Sequence, residues 1–304
     1  MCFFSGGVDA FATLIAHIEE SPRLVTIFGA DINLNDKEGT DNVLQHVANT
    51  GNQFKIEYNC IKTNIKDYLN YTYLNELVKK SNDSWWHGFQ HGICLIGTAA
   101  PFVHILGIKQ IYIASSYTKE DNVPCASHPN IDNKVKFGGC QVLHDQYEYN
   151  RQQKIQHILE YTKTDSTVQN IQLRVCWMSR GGHNCSKCEK CYRTIFGLIA
   201  EGANPELFGF PNVNNDYNRI SHDIKRNLIF HNSIITLWTD IQSRIRYNYA
   251  RKSVVIPPEL EWILDFDFSK INKTPRKQTI IVLKKVKDQL RKLRRIISMN
   301  RLTL

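Results

Sequence analysis

Phe3-Phe4-Ser5-Gly6-Gly7-Val8-Asp9-Ala10-Phe11 reads as the end of an apolar strand, a Ser-Gly-Gly turn and the first turn of a helix. Glycines let the backbone approach a ligand closely. In a strand-to-helix turn the successive N–H groups converge and the helix amino terminus adds partial positive charge, an arrangement suited to an anion. Asp9 opens the helix, where a carboxylate caps it or holds a metal that accompanies a nucleotide. A tight turn also needs glycine for steric reasons alone, so the weight rests on the whole string. Only four residues precede Ser5, and a buried parallel strand usually has about five or more. One reading therefore puts Met1 inside a strand, with the reading frame or an upstream domain starting earlier; the other is simply a short strand.

Outward from this loop, apolar runs alternate with helix-like segments through the first two hundred residues, the pattern of strands and crossover helices in a parallel sheet. The pattern predicts strands at Cys2-Phe4, Leu24-Phe28, Phe54-Tyr58 and Ile111-Ala114, and helices over 9–20, 41–50, 68–80 and 86–106. The expected fold is α/β, an open parallel sheet of the five-stranded type with helices on both faces. Ligands of such sheets sit beyond the carboxyl ends of the strands. Phe28-Gly29-Ala30-Asp31 is a small-residue strand exit against which a base or ribose could lie; an ordinary turn with Asp31 solvated is the alternative. Gly202, Pro205, Gly209 and Pro211 break the pattern and predict a boundary at 211, followed by a mainly helical extension over 212–304.

With 304 residues, 42% hydrophobic and 22% charged, the chain has the composition of a globular protein rather than a disordered or fibrous one. The most apolar stretch, Ile93 to Leu106, is interrupted by Gly97, Thr98, Pro101 and His104 and falls short of a membrane span. The start lacks a signal-peptide pattern, which leads to an expectation of cytoplasmic location. The net charge of +9 is misleading until it is located: residues 270–304 carry +11, which leaves −2 for residues 1–269. Only that tail has the footprint of a polyanion binder.

Nine cysteines without a secretory start suggest thiols or metal ligands rather than a disulfide framework. Cys176, Cys185, Cys188 and Cys191 form C-x8-C-x2-C-x2-C with Gly181-Gly182 in the long gap, a set that suits a closed tetrahedral zinc site over 176–191. An iron-sulfur cluster and thiol chemistry are the competing readings. Cys2, Cys60, Cys94, Cys125 and Cys140 show no ligand spacing and read as plain thiols.

The string from Ser5 to Ala10 resembles the Ser-Gly-Gly-x-Asp-Ser loop of the PP-loop ATP pyrophosphatases, enzymes that split ATP into AMP and pyrophosphate to activate an oxygen atom. The resemblance implies that Ser5, Gly6, Gly7, Val8, Asp9 and Ala10 grip the pyrophosphate end of ATP with Mg2+, and that the adenine lies near Phe28 and Asp31. Ala10 departs from the pattern, where a second Ser is usual. Losing that hydrogen bond to a charged group costs about 1.5–3 kcal/mol. Loop and cysteine cluster together are similar to the 7-cyano-7-deazaguanine synthases, over about residues 3–200. That likeness implies zinc on the four cysteines and, with Asp9 and Ser5, a catalytic Arg193 after the knuckle. In those enzymes a carboxylate on a deazaguanine is adenylated, converted by ammonia to an amide, then dehydrated to a nitrile. The residues that read the deazaguanine have no counterpart here, and the substrate is not carried over.

Between the motifs, Trp85-Trp86-His87-Gly88-Phe89-Gln90-His91-Gly92 begins a helix with His87 and His91 one turn apart, suited to pocket lining or, less readily, to a metal. Ser115, Ser116, His128 and Asp145, with Glu148, Arg151 and Lys154, follow the fourth strand and are candidates for selecting the activated group; a solvated loop is the alternative for each. Leu283, Val286, Leu290, Leu293 and Ile297 share one helix face in the tail. That segment can dock on its own protein, lie on an anionic membrane or contact nucleic-acid phosphates. The expected function is an ATP-dependent adenylating ligase forming a C–N bond on a small-molecule carboxylate or carbonyl, with a separate nitrogen donor and room for a homodimer. A tRNA-modifying PP-loop enzyme and a nucleotide-binding partner without turnover are the alternatives.

Overall fold

The computed structural model describes residues 1–30, 32–81, 83–121, 123–165, 168–178 and 181–300, with the side chains of 285, 288 and 291–300 left aside. The fold is α/β. Six strands, β1 (Cys2–Phe3), β2 (Leu24–Phe28), β3 (Tyr58–Lys62), β4 (Gln110–Ala114), β5 (Lys136–Phe137) and β6 (Cys140–Asp145), form one sheet in the order β3-β2-β1-β4-β6-β5. All pairings are parallel except β5 with β6. Beside the five parallel strands the sequence suggests, the sheet thus has a short antiparallel edge. The chain runs outward from β1 through β2 to β3, then crosses back to β4 on the other side of β1. That reversal opens a crevice at the carboxyl ends of β1 and β4, where open sheets of this kind bind ligands.

Helices cover both faces, and the strands alternate between them. Cys2, Phe4, Leu24 and Phe28 face α1 (Val8–Ala16), α2 (Lys37–Phe54), α7 (Arg151–Thr164) and α8 (Glu189–Ala200). Phe3, Val25, Ile27, Ile111 and Ile113 pack with Ile96, Ala99 and Val103 of α5 (His91–Ile105). Burial on both faces explains why these strands read as unbroken apolar runs.

The third strand lies at Tyr58–Lys62, four residues beyond the predicted Phe54-Tyr58. Phe54 continues the buried series Val43, Val47 and Thr50 at helical steps and ends α2, with Lys55 as a left-handed cap. Of the predicted 68–80 helix only α4 (Tyr71–Leu77) forms, set off from a short α3 (Ile65–Tyr68) before it, because Leu69 is extended and the Asn70 side chain caps α4 by accepting from Tyr73 N–H. A single turn of π-helix, Trp86–Gln90, leads into α5. The short helix α6 (Pro129–Asp132) precedes β5. No sequence signal was read for β6: its inward positions alternate but include His144, while Leu143 points outward.

Beyond Ala200 the chain is helical, with α9 (Tyr217–Arg226), α10 (Asn232–Ala250) and α11 (Pro275–Asn300). The sheet-side core continues without a gap through α8 into this part, as far as Ile271. Trp238 is fully buried at its centre, with ring centroids 5.2 Å from Phe196 of α8 and 5.5 Å from Phe268. Among the described residues no helix is long and apolar enough to cross a membrane.

Candidate functional site

A cavity of about 280 Å3 opens at the carboxyl ends of β1, β2 and β4. Its floor is the glycine loop: Ser5, Gly7, Asp9 and Ala10 line it, whereas Gly6 and Val8 lie behind them. Gly6 has φ of +78°, and a Cβ there would meet Nε2 of His46 at 2.3 Å. The position therefore needs glycine for both conformation and space. Gly7 begins α1 with extended backbone and no side-chain cap, so the first N–H groups of a nine-residue helix are left for other partners.

Asp9 is partly buried, its side chain 16% exposed, and stands among cations. Its Oδ2 accepts from Arg151 at 2.9 Å, and Oδ1 lies 3.8 Å from Nζ of Lys154 without a hydrogen bond. Burial raises its pKa, but Arg151, then Lys154, Lys190 and Arg193, outweigh that and hold the carboxyl below its ordinary value. Lys154 is fixed by donating to the Ser115 carbonyl at 2.7 Å, and burial lowers its own pKa. Among the described residues the cavity wall carries four cations, Lys66, Arg151, Arg174 and Lys190, against one carboxylate, Asp9. Converging cations, a glycine turn and an uncapped helix start can bind an anion with several negative charges.

Phe28 lines the cavity, as do His91 and Ser116. Asp31 lies outside the described residues. Arg193 does not line this cavity; it pairs with Glu189 at 3.0 Å beside Arg151 and Asp240. Ser115 is buried and His87 pairs with Asp83 at 2.8 Å; neither is among the lining residues. His128 caps α6 and contacts the Tyr147 hydroxyl at 3.2 Å, while Asp145 bonds His17 at 3.0 Å. Neither faces the cavity. Sequence reasoning missed Lys66, Arg174 and Lys190. Arg174 lies two residues before Cys176 and Lys190 between Cys188 and Cys191, and this closeness to the cysteine cluster is the one signal that could have found them.

The four cysteines Cys176, Cys185, Cys188 and Cys191 bring their sulfurs within 4.8 Å of one another. Cys176 and Cys188 are 3.8 Å apart, Cys185 and Cys191 3.9 Å. A tetrahedron with metal–sulfur bonds of ~2.3 Å has edges of about 3.8 Å, so the set could hold a metal ion such as zinc. Asn184 braces this cluster: its Oδ1 accepts from the amides of Val175 and Cys176, and its Nδ2 donates to the carbonyls of Leu173 and Gly209. The strand-like segment before Cys176 is in turn bonded to the glycine loop, from Arg174 N–H to Gly6 O at 2.6 Å and Arg174 Nε to Ser5 O at 3.0 Å. Cysteine cluster and cavity floor are thus one bonded unit. No family model matches the chain, and neither a curated protein nor a solved structure matches it.

Proposed function

We propose that the cavity is a MgATP site and the chain an adenylating enzyme of the PP-loop type, similar to the deazaguanine synthases. It would transfer AMP from ATP to a carboxylate or carbonyl oxygen and release pyrophosphate, after which a nitrogen nucleophile displaces AMP. The observation that carries this reading is the four-cation wall above an uncapped glycine turn at the crossover of the sheet. A pyrophosphate leaving group develops negative charge as its bond to the α-phosphorus breaks, and preorganised N–H groups and cations stabilise that charge most effectively where water is scarce. Lys190, Arg174 and Arg151, which line the cavity, would do so. Asp9 Oδ1, buried and without a hydrogen bond, is the atom suited to Mg2+, which would neutralise phosphate charge. Trp86 and Phe28 give the cavity an apolar side for a base or an acyl group. Zinc on the four cysteines would hold the Arg174 segment against the loop.

The test is a thermal shift with MgATP on metal-quantified protein, read together with AMP and pyrophosphate release in the presence of carboxylate acceptors. Each variant's shift is taken from its own ligand-free midpoint. Wild type should be stabilised and Asp9→Ala should lose that response; a wild type unmoved by millimolar MgATP would sink the reading. Ala10, lining the cavity without a hydroxyl, favours a second reading, a nucleotide-binding partner without turnover. Stabilisation by ATP with no AMP formed would select it.

A further inference from the structure

Beside the cavity lies a group of side chains that the adenylation reading leaves unused. Asp83 Oδ2 accepts from His87 Nδ1 at 2.8 Å, which fixes the ring and leaves Nε2 facing the Tyr117 hydroxyl at 3.4 Å. The loop after β4 is pinned here by Ala126 N–H donating to His87 O at 2.8 Å, and Ser127 Oγ is tied to Asp132 at 2.7 Å. These bonds set the half-buried Cys125 beside His87, and Gly92, next to His91, packs so closely on the same loop that a Cβ there would meet Ser127 Cα at 3.0 Å. His91 itself lines the cavity, and a π-helical turn, Trp86–Gln90, carries His87 and ends at His91. Such turns in a helix often mark working sites. A cysteine, a histidine and an acid that orients the histidine are the parts of an activated thiol nucleophile.

We propose that Cys125 is a covalent nucleophile which takes the acyl group from the adenylated substrate as a thioester, with His87 as its paired base and Asp83 as the positioning residue. The proposal rests on the adenylation reading for its acyl donor. The thiolate sulfur attacks the carbonyl carbon; a C–S bond forms, the C–O bond to AMP breaks, and AMP leaves with the electron pair. His87, having lost its thiolate partner, gives its proton to solvent. An amine then attacks the thioester carbon, its proton passes to His87, and the C–S bond breaks to restore the thiolate. No oxidant or reductant is needed. Electrostatics agree: hydrogen bonds from His87, His91 and the Ser127 amide overcome burial and bring Cys125 down to about 6. His87 rises to about 9, first through Cys125 and then, against burial, through Asp83. The remaining charged or titratable groups around the pair are Tyr117 and, within its electrostatic reach, Asp121 and Arg193.

The full chain is incubated with acetyl adenylate, the smallest acyl adenylate, and the acetylated residue is located by mass spectrometry. One acetyl group should appear on Cys125, be released by neutral hydroxylamine and be missing from Cys125→Ala. His87→Gln should slow it at least tenfold with metal content unchanged. Iodoacetamide gives a second readout: Cys125 alkylation should already level off near pH 7. In His87→Gln it should keep rising through about pH 8.5, as for an ordinary thiol. Acetylation confined to lysines, or Cys125 reacting no faster than Cys94 and Cys60, overturns the nucleophile even if MgATP is bound and cleaved. Acetylated Cys125 in a chain that ignores MgATP supports the nucleophile and overturns the adenylation reading instead.

Discussion

Asp9 is the carboxylate that balances the cations gathered at the cavity wall. Its carboxylate is the counter-ion of Arg151 and stands near Lys154, both buried in α7, so removing it strands two cations in a poor dielectric. Breaking a buried pair in this way costs about 3–5 kcal/mol. Asp9→Asn should therefore lower stability by about 3 kcal/mol in urea unfolding at pH 7. The sign with pH follows from its lowered pKa: the stabilisation is present above the unfolded-state value of about 4 and lost as pH falls through the folded one. The gap between wild type and Asp9→Asn should stay constant from pH 8 to pH 5 and close below about pH 4. A gap that closes between pH 6 and 8 would mean that another group is responsible. Gly6 gives a second residue-scale expectation. Gly6→Ala forces a side chain into the left-handed region and against His46, which burial and the Arg174 charge already hold neutral, with a pKa of about 4. A loss of about 2–4 kcal/mol is expected, measured by the same unfolding curves.

Elements rather than residues decide how the cysteine cluster matters. Segment 171–176 runs from Asn184 and the cluster to the backbone of Gly6, so the metal would act on the cavity through main-chain bonds. Stripping the metal with a mercurial and a chelator should lower the unfolding midpoint by about 5–10 °C for a loss of ~3 kcal/mol, and should abolish any response to MgATP. Retention of the full response after verified metal loss would show that the loop stands without the cluster. Much of this element map was legible in the sequence. The glycine turn, β2, β4 and the four cysteines carry local signals, namely apolar runs bounded by turns and a ligand spacing. Residues whose meaning is set across the fold were not legible. Phe54 belongs to a helix face only because Val43 and Val47 lie beneath it, and the loop that carries Cys125 meets His87 through the crossover from β4. Arg174 and Lys190 reach the cavity because the cysteine-bearing segment folds back onto the loop, which no one-dimensional spacing shows.

The whole molecule divides its charge as unevenly as its core is continuous. Apolar clusters cover both faces of the sheet, the larger reaching from Cys2 to Ile271, and α11 is anchored to that larger one at its start, where buried Lys277 donates to the Ile224 carbonyl at 2.8 Å. Beyond that anchor Val282, Leu283, Val286 and Leu290 are all exposed, and Leu293 and Ile297, which continue the predicted face, lie outside the described side chains. An exposed apolar stripe flanked by Lys284 and Lys287 does nothing for the core, so deleting residues 279–304 should leave the unfolding midpoint within 2 °C or so of wild type. The same deletion removes most of the positive charge of a chain whose first 269 residues carry −2. Interfacial helices bury an apolar side and use lysine and arginine to hold anionic headgroups. The intact chain should therefore sediment with vesicles containing phosphatidylserine and release them as salt rises, while the shortened chain stays in the supernatant. Retention on tRNA at the same salt, with vesicles unbound, would turn the tail toward nucleic acid, since phosphate contacts need the charge but not the stripe. Equal behaviour of the two chains in both assays would leave the stripe to another protein, and a changed midpoint would show that the helix packs on its own core after all.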